Sequence, residues 1–86
     1  MKLFFKDQTS FISDEFSIDQ VDGKPATIMI RGTGTVVLFF MDAEGVFREY
    51  PETTLTGPTA TRLHLPHGKF KLTIAAAAPT SVEIHY

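Results

Sequence analysis

The 86-residue chain contains no cysteine and no tryptophan. Without cysteine, no disulfide can stabilise the fold and no thiolate can bind a metal. Neither sign of charge dominates, because 8 Lys and Arg stand against 10 Asp and Glu, so a basic surface that binds nucleic acid is disfavoured. No apolar run reaches the ~20 residues of a membrane span or the about 7–15 of a signal-peptide core. We therefore expect a protein made in the cytoplasm, with neither a membrane nor nucleic acid as its partner.

The composition is that of a small globular domain. Hydrophobic residues make up 43% of the chain and include 8 Phe. We predict a single domain over residues 1–86. A chain of this length buries only roughly 60–65% of the surface that its unfolded form exposes. Small domains without disulfides often gain the missing stability by oligomerising.

Short alternating segments between turn residues indicate an all-β domain. In "ATIMIRG", Ala26, Ile28 and Ile30 share one face, and "SVEIHY" alternates in the same way. "AAAAPTS" is predicted to end one strand and to turn the chain before the last one. No window has a 3.6-residue period. We predict a small antiparallel β-sandwich, of the jelly-roll or immunoglobulin-like kind, with about seven to eight short strands.

The first 25 residues have a less regular pattern. "KLFFK" and "EFSI" suggest short strands, and Asp22-Gly23 followed by Pro25 is a turn signal. We therefore treat residues 1–25 as an arm or as a set of edge strands.

The segment "ATRLHLPHGKFKLTIA" predicts a hairpin around His67-Gly68. In that register Leu65 lies opposite Phe70 and Leu63 opposite Leu72, on one apolar face. The other face would carry a small basic patch, formed by Arg62, His64, Lys69 and Lys71. Such a patch suits an acidic partner, although a solvated face with protective lysines explains it as well.

The strand from Val36 to Met41 is apolar at every position. Since successive side chains of a strand point to opposite faces, both of its faces need a cover. The cover is either the Phe-rich N-terminal segment or a neighbouring subunit. The candidate interface residues are Phe4, Phe5, Phe11, Val37, Phe39 and Met41. Separate Phe39→Ser and Phe40→Ser changes should distinguish the face that folds the domain from the face that assembles it.

Turn residues flank this strand on both sides. Gly32 and Gly34 precede it, and glycine at such a place marks a bulge or a close backbone approach. After it, "DAEG" predicts a turn in which Asp42 binds nearby backbone groups and Glu44 is the exposed tip. A three-residue loop would place Met41 opposite Phe47, whereas a two- or four-residue loop would place Phe40 there. The glycine at the end of the loop favours the first.

Candidate chemistry is sparse along the chain. The histidines His64, His67 and His85 invite a metal hypothesis, but no carboxylate at ligand spacing joins them. Asp42 and Glu44 are too few oxygen ligands for calcium. No nucleophile elbow, phosphate loop or Cys–His pair is present. We predict no catalytic residue, no metal site and no cofactor, and therefore a protein that is not an enzyme.

From Gly32 to Tyr86 the order of segments resembles a known group of proteins. A "GTGTVVLFF" strand leads to a "DAEGVF" turn, a "TGPT" loop, "LHLPHGKFKLTI" and a closing "SVEIHY". This layout resembles the small β-sandwich structural proteins of tailed bacteriophage virions, of the head-decoration and tail accessory type. A "GTGTV" strand, an acidic-Gly hairpin and a "G-aromatic-basic" strand recur in them, and Phe47 stands where an aromatic often follows the acidic turn.

The resemblance implies a non-enzymatic structural role on a particle. It implies a virion location, and partners that are further copies of the chain, as homotrimers or other small oligomers, together with other virion proteins. The alternative is a carbohydrate-binding or other ligand-binding β-sandwich module, which would stack sugars on exposed aromatic rings. Tryptophan is absent, so that alternative relies on Tyr50, Tyr86 and some Phe side chains.

Overall fold

The fold is built around one long strand. The computed structural model describes residues 2–18, 25–50 and 54–86. In these residues eight strands form one antiparallel sheet, curled into a half-barrel, and no helix is present. The strands are β1 (Lys2–Ile12), β2 (Phe16–Ile18), β3 (Ala26–Arg31), β4 (Thr35–Met41), β5 (Phe47–Glu49), β6 (Leu55–Thr56), β7 (Thr59–Leu63) and β8 (Gly68–His85).

Four strands pair directly with β8. β1 and then β2 pair with one edge of it. Along the other edge, β4 pairs with residues 70–75 and β3 pairs with residues 81–85. β5 and β6 extend the sheet beyond β4, and β7 extends it beyond β3. We call these regions the β4 half and the β3 half.

The two halves meet at a corner where β8 has more residues than its neighbours. On β8, residues 76–80 lie between its last pair with β4, at Ala75, and its first pair with β3, at Ser81. On the neighbouring strands, only residues 32–34 connect β3 to β4. The pairing of β1 shifts at the same level, near Gln8. Extra residues on one strand bend a sheet and raise its twist. The corner therefore turns the inner faces of both halves towards each other.

Small residues let the strands approach at this corner. A Cβ on Gly34 would lie 2.8 Å from Ala76 Cβ and 2.8 Å from Thr80 Oγ1. The Gly34 N–H donates to Thr80 Oγ1 at 3.1 Å, and that hydroxyl donates to the Ala78 carbonyl at 3.2 Å. The buried hydroxyl of Thr80 is thus satisfied on both sides.

The inner faces of both halves share one apolar core. β4 and the first part of β8 contribute cross-strand pairs such as Leu38 with Leu72, and β3 contributes pairs such as Ile28 with Ile84. Burying one such side chain contributes about 1.5–3 kcal/mol. The buried cluster comprises Ile18, Ala26, Ile28, Ile30, Val36, Leu38, Leu65, Phe70, Leu72, Ile74, Val82 and Ile84.

Several predictions of local structure are confirmed. Ala26, Ile28 and Ile30 lie buried on one face of β3. The last run is part of a strand up to His85, and Val82 and Ile84 are buried there. Gly34 marks a close backbone approach. The all-β, antiparallel class and the number of strands are confirmed, while the predicted turn at Asp22-Gly23 lies outside the described residues.

The predicted hairpin around His67-Gly68 is wrong. β7 pairs with β3, so Leu63 lies opposite Ala26, and β8 places Leu72 opposite Leu38. Alternation shows that each segment has an apolar side, but not which strand it pairs with. The linker between β7 and β8 instead joins the two halves, and its Leu65 is buried in the shared core.

The predicted turn at "AAAAPTS" is also wrong, because β8 continues through it as the corner. Proline has no N–H to donate, and a bulge tolerates this where a regular strand does not. β8 is therefore not a short strand. The N-terminal segment is more regular than expected as well, since 11 of its residues form β1, whose pairing with β8 shifts near Gln8.

We predict that Gly34→Ala destabilises the domain by about 2–3 kcal/mol, because the added methyl overpacks the corner against Ala76 and Thr80. Gly45→Ala is the matched control: its Cβ meets nothing within 4 Å, although its φ is +80°, so only the left-handed backbone costs about 1–2 kcal/mol. Chemical denaturation of both variants measures the difference. Equal losses would contradict the packing of the corner.

Candidate functional site

The two faces of β4 have different surroundings. Val36 and Leu38 are buried, and the Phe40 ring packs against Phe70 with centroids 4.9 Å apart. The alternate residues Val37, Phe39 and Met41 point away from the core and are half-buried. The structure therefore assigns one face of this strand to the core and leaves the other on the outside of the β4 half.

Neighbouring strands extend this outer side. Met41 pairs with Phe47 on β5, and Val37 pairs with Thr73, which in turn pairs with Ile12 on β1. Residues directly opposite each other in a sheet have their side chains on the same face. We call this surface the outer apolar face, and it consists of Ile12, Val37, Phe39, Met41 and Phe47.

The outer apolar face is partly exposed to solvent, since Val37, Phe39, Met41 and Phe47 are half-buried. Ile12 is 73% exposed. A shallow depression of about 220 Å³ lies on the face, lined by Ile12, Phe39, Phe47, Lys71 and Thr73. The apolar side chains around this depression make it the candidate contact site of the β4 half.

One row of the face carries both signs of charge. Phe39 pairs with Glu49 of β5 on one side and with Lys71 of β8 on the other. The Lys71 ammonium lies 4.8 Å from the centroid of the Phe47 ring, a favourable arrangement for a cation and an aromatic face. Glu49 Oε1 accepts a hydrogen bond from Thr54 Oγ1 at 3.1 Å.

The β4–β5 hairpin holds Phe47 in this position. The loop has three residues, since the Asp42 N–H donates to the Val46 carbonyl at 2.9 Å and Met41 lies opposite Phe47, as the preferred prediction has it. Asp42 Oδ1 accepts from the N–H groups of Glu44 and Val46 at 2.9 and 3.0 Å. The predicted capping role of Asp42 is thereby confirmed.

The charge of Asp42 is stabilised by its contacts. Arg48 Nε donates to Asp42 Oδ2 at 2.6 Å. This bond, followed by the one from the Val46 N–H, lowers the pKa of Asp42 below its ordinary value of 3.8. The oxygens of Asp42 that a cation would need are thus engaged by the turn and by Arg48.

The N-terminal phenylalanines do not cover the outer apolar face. Phe5 and Phe11 lie 5.7 Å apart, are partly buried and pack against the core rather than on the outer apolar face. Their rings continue through Phe16, 6.1 Å from Phe5, to Phe70. Phe4 is 49% exposed, but it pairs with Glu83 in the β3 half. The alternation of β1 directs Phe5 and Phe11 inward and Phe4 outward.

The residues of the predicted basic patch lie in different places. Arg62 is on β7 in the β3 half, whereas Lys69 and Lys71 are on β8 in the β4 half, and His64 is exposed in the linker between them. Lys69 Nζ binds Glu15 Oε1 at 3.0 Å. The hairpin that would have brought these side chains together does not form, so they do not lie on one face.

The histidines are also dispersed. His64 and His67 are exposed in the linker before β8, and His85 lies 3.6 Å from Glu83 Oε1. Arg31 Nη2 binds the other oxygen of that carboxylate at 2.9 Å. In the part of the chain that the structure describes, no three His, Cys, Asp or Glu residues stand close enough to hold a metal ion.

Sequence reasoning identified Val37, Phe39 and Met41 but missed two members of the face. Phe47 was within reach, because the three-residue loop already places it opposite Met41. Ile12 had no such signal, since its place depends on the pairing of β1 with a strand some sixty residues later in the chain.

Comparisons with models of protein families, with curated proteins and with solved structures find no match to this chain. Within the described residues, no helix is long and apolar enough to cross a membrane.

We predict that Asp42→Asn lowers the melting temperature at pH 7, because the amide keeps the turn but loses the charge facing Arg48. A carboxylate with a lowered pKa in the folded state contributes stability above its ordinary pKa of 3.8, and that contribution is lost as the pH falls through the lower value of the folded state. Melting curves from pH 7 to about pH 2.5 should therefore converge. Glu44→Gln at the loop tip serves as control, and a gap independent of pH would contradict the assignment.

We predict that Phe40→Ser costs about 3–5 kcal/mol and leaves little folded protein, because it removes a ring packed on Phe70 and Tyr50. Phe39→Ser on the outer apolar face should cost less than about 1.5 kcal/mol. Circular dichroism and urea denaturation give both values. If Phe39→Ser unfolds the domain as well, its side chain is part of the core.

Proposed function

We propose that this protein is a non-enzymatic structural component of a bacteriophage virion, a capsid decoration or a tail or head accessory protein. It acts through protein–protein contacts of the outer apolar face. The observation that carries the proposal is that the core cluster contains no side chain of this face. Among the described residues, twelve buried side chains form one cluster between the two halves, and the outer apolar face lies outside it.

The energetics favour a contact role for this face. Fully covering one large apolar side chain contributes about 1.5–3 kcal/mol, whereas a small domain has a net stability of about 5–15 kcal/mol. Of the five side chains of the outer apolar face, Ile12 is exposed and the other four are half-buried. A partner that covers them gains only the part of this free energy that corresponds to their remaining exposed surface.

The arrangement of segments supports the resemblance to phage decoration proteins. The "GTGTV" segment leads through the corner into β4, and the acidic-Gly turn forms the β4–β5 hairpin with Phe47 on its outer side. We extend the proposal to the fold: the two halves closing on one core correspond to the two layers of a small β-sandwich. Other virion proteins and further copies of the chain are the proposed partners, and assembly follows synthesis in the host cytoplasm.

A carbohydrate-binding module is the second candidate. The observation in its favour is the depression lined by the rings of Phe39 and Phe47, since sugars stack on exposed aromatic faces. Tyr50 is less suited to this role, because its ring packs edge-on against Phe40 and Phe70. Tyr86 donates its hydroxyl to the Ser17 carbonyl. A glycan array with labelled protein tests this candidate, and binding that is lost in Phe39→Ser would favour it.

We predict that the protein sediments with particles. The phage or prophage that encodes it is induced, the particles are banded on a density gradient, and the fractions are probed with an antibody. Phe39→Ser should reduce the particle-bound protein at least about tenfold, because removing a central apolar contact at an interface costs 1–2 kcal/mol or more. Arg62→Ser, an exposed residue of the β3 half, is the matched control.

If the wild-type protein stays at the top of the gradient while particles form normally, the virion role is wrong. Capsid or tail genes beside the coding sequence would provide independent support for it.

A further inference from the structure

We propose that a second copy of this chain covers the outer apolar face, around a two-fold axis that lies between the two faces and runs along β4 near Phe39. This inference rests on the proposed function, since both use the same face, and it names the partner.

The charge at the centre of the face restricts what can cover it. Lys71 projects onto the apolar surface, with its ammonium 4.8 Å from the Phe47 ring centroid. Burying an ammonium without an opposite charge is costly. A purely apolar cover is therefore disfavoured, and the partner must bring a carboxylate to Lys71.

The chain itself presents such a carboxylate at the right distance from Phe39. Glu49 and Lys71 are the two cross-strand neighbours of Phe39, one on each side of β4. A two-fold axis along β4 places the β5 side of one copy against the β8 side of the other. Glu49 of each copy then faces Lys71 of the other, and the lysine side chain can turn from Phe47 to this carboxylate. A two-fold axis across the strands would instead place like charges together.

The same axis matches the apolar residues and the preferred packing of sheets. Phe39 meets its own counterpart near the axis, as it does in any isologous interface. The β4 strands of the two copies run nearly parallel, which is compatible with the aligned class of face-to-face sheet packing, at about 30°. The depression beside Phe39 provides room for a ring of the other copy.

The size of the face sets the strength of the contact. β4 has 7 residues, and a strand of that length spans roughly 23 Å, while four neighbouring strands span roughly 14 Å. Two such faces bury on the order of 600 Å² in total, below the roughly 1,200 Å² of a stable interface. We expect a weak dimer, with a Kd of roughly 100 µM to 1 mM. On a particle, the local concentration of copies strengthens this contact.

We predict a dimer that depends on Glu49 and Lys71. Sedimentation equilibrium from about 10 µM to about 1 mM should show the mass of wild-type protein rising towards that of a dimer. Glu49→Lys and Lys71→Glu should each weaken the dimer at least about fivefold, because each places like charges in contact. The double variant should restore it. Arg62→Glu on the β3 half is the control and should behave as the wild type.

Mixing provides the sharper test. Glu49→Lys carries lysine at both positions 49 and 71, and Lys71→Glu carries glutamate at both. An equimolar mixture should therefore form a heterodimer more tightly than either variant forms its own dimer. NMR spectra of one isotope-labelled variant should show chemical-shift changes at Phe39 and Phe47 when the other, unlabelled variant is added. Circular dichroism confirms that each variant is folded.

Other outcomes overturn the inference. Wild-type protein that remains a monomer at 1 mM rejects the second copy, and a dimer that is insensitive to both charge reversals rejects this axis. A trimer or larger species rejects the two-fold arrangement. If the protein is a monomer in solution but binds particles through Phe39, a different virion protein covers the face, and the proposed function stands without this inference. If the wild-type protein dimerises but does not sediment with particles, the virion role is wrong and the dimer stands.

Discussion

The fold depends on one bent strand. β8 supplies hydrogen-bonding partners to both halves of the sheet, so the halves cannot separate without breaking this strand's pairing. The bend itself depends on close contact at the corner, where Gly34 lies against Ala76 and Thr80. A side chain at position 34 would clash with Ala76 and Thr80 and strain the bend that brings the inner faces together.

The corner also creates the division between the inner and outer surfaces. In each half, alternate residues of the strands point inward, and the closing of the halves removes these residues from water. The residues between them remain outside, and the two halves differ there. On the β4 half they include Val37, Phe39 and Met41 beside Glu49 and Lys71, whereas on the β3 half they include Arg31, Glu83 and His85. The β4 half therefore has the larger group of adjacent outward apolar side chains.

Local features were predictable because their causes are local. The turn at Asp42 follows from a carboxylate that reaches backbone N–H groups two and four residues later. The glycine at the end of the loop favours three residues over two or four, and this places Phe47 beside Met41. The inward set of β3 follows from alternation alone. Which strands pair with each other could not be predicted from the sequence in the same way. The pattern of the segment around His67 fits a hairpin well, yet β7 and β8 pair with other strands.

The sequence by itself determined the all-β class, the alternating strands, the β4–β5 hairpin and the excess of apolar residues in β4. These depend on neighbours within a few positions, where alternation and turn chemistry decide the structure. Only the tertiary structure decided that "AAAAPTS" is a corner, that Phe5 and Phe11 face the core, and that Ile12 joins Phe39 on the outside. These depend on which distant strand lies alongside, and that choice is made by the burial of all the inner faces together rather than by any one segment.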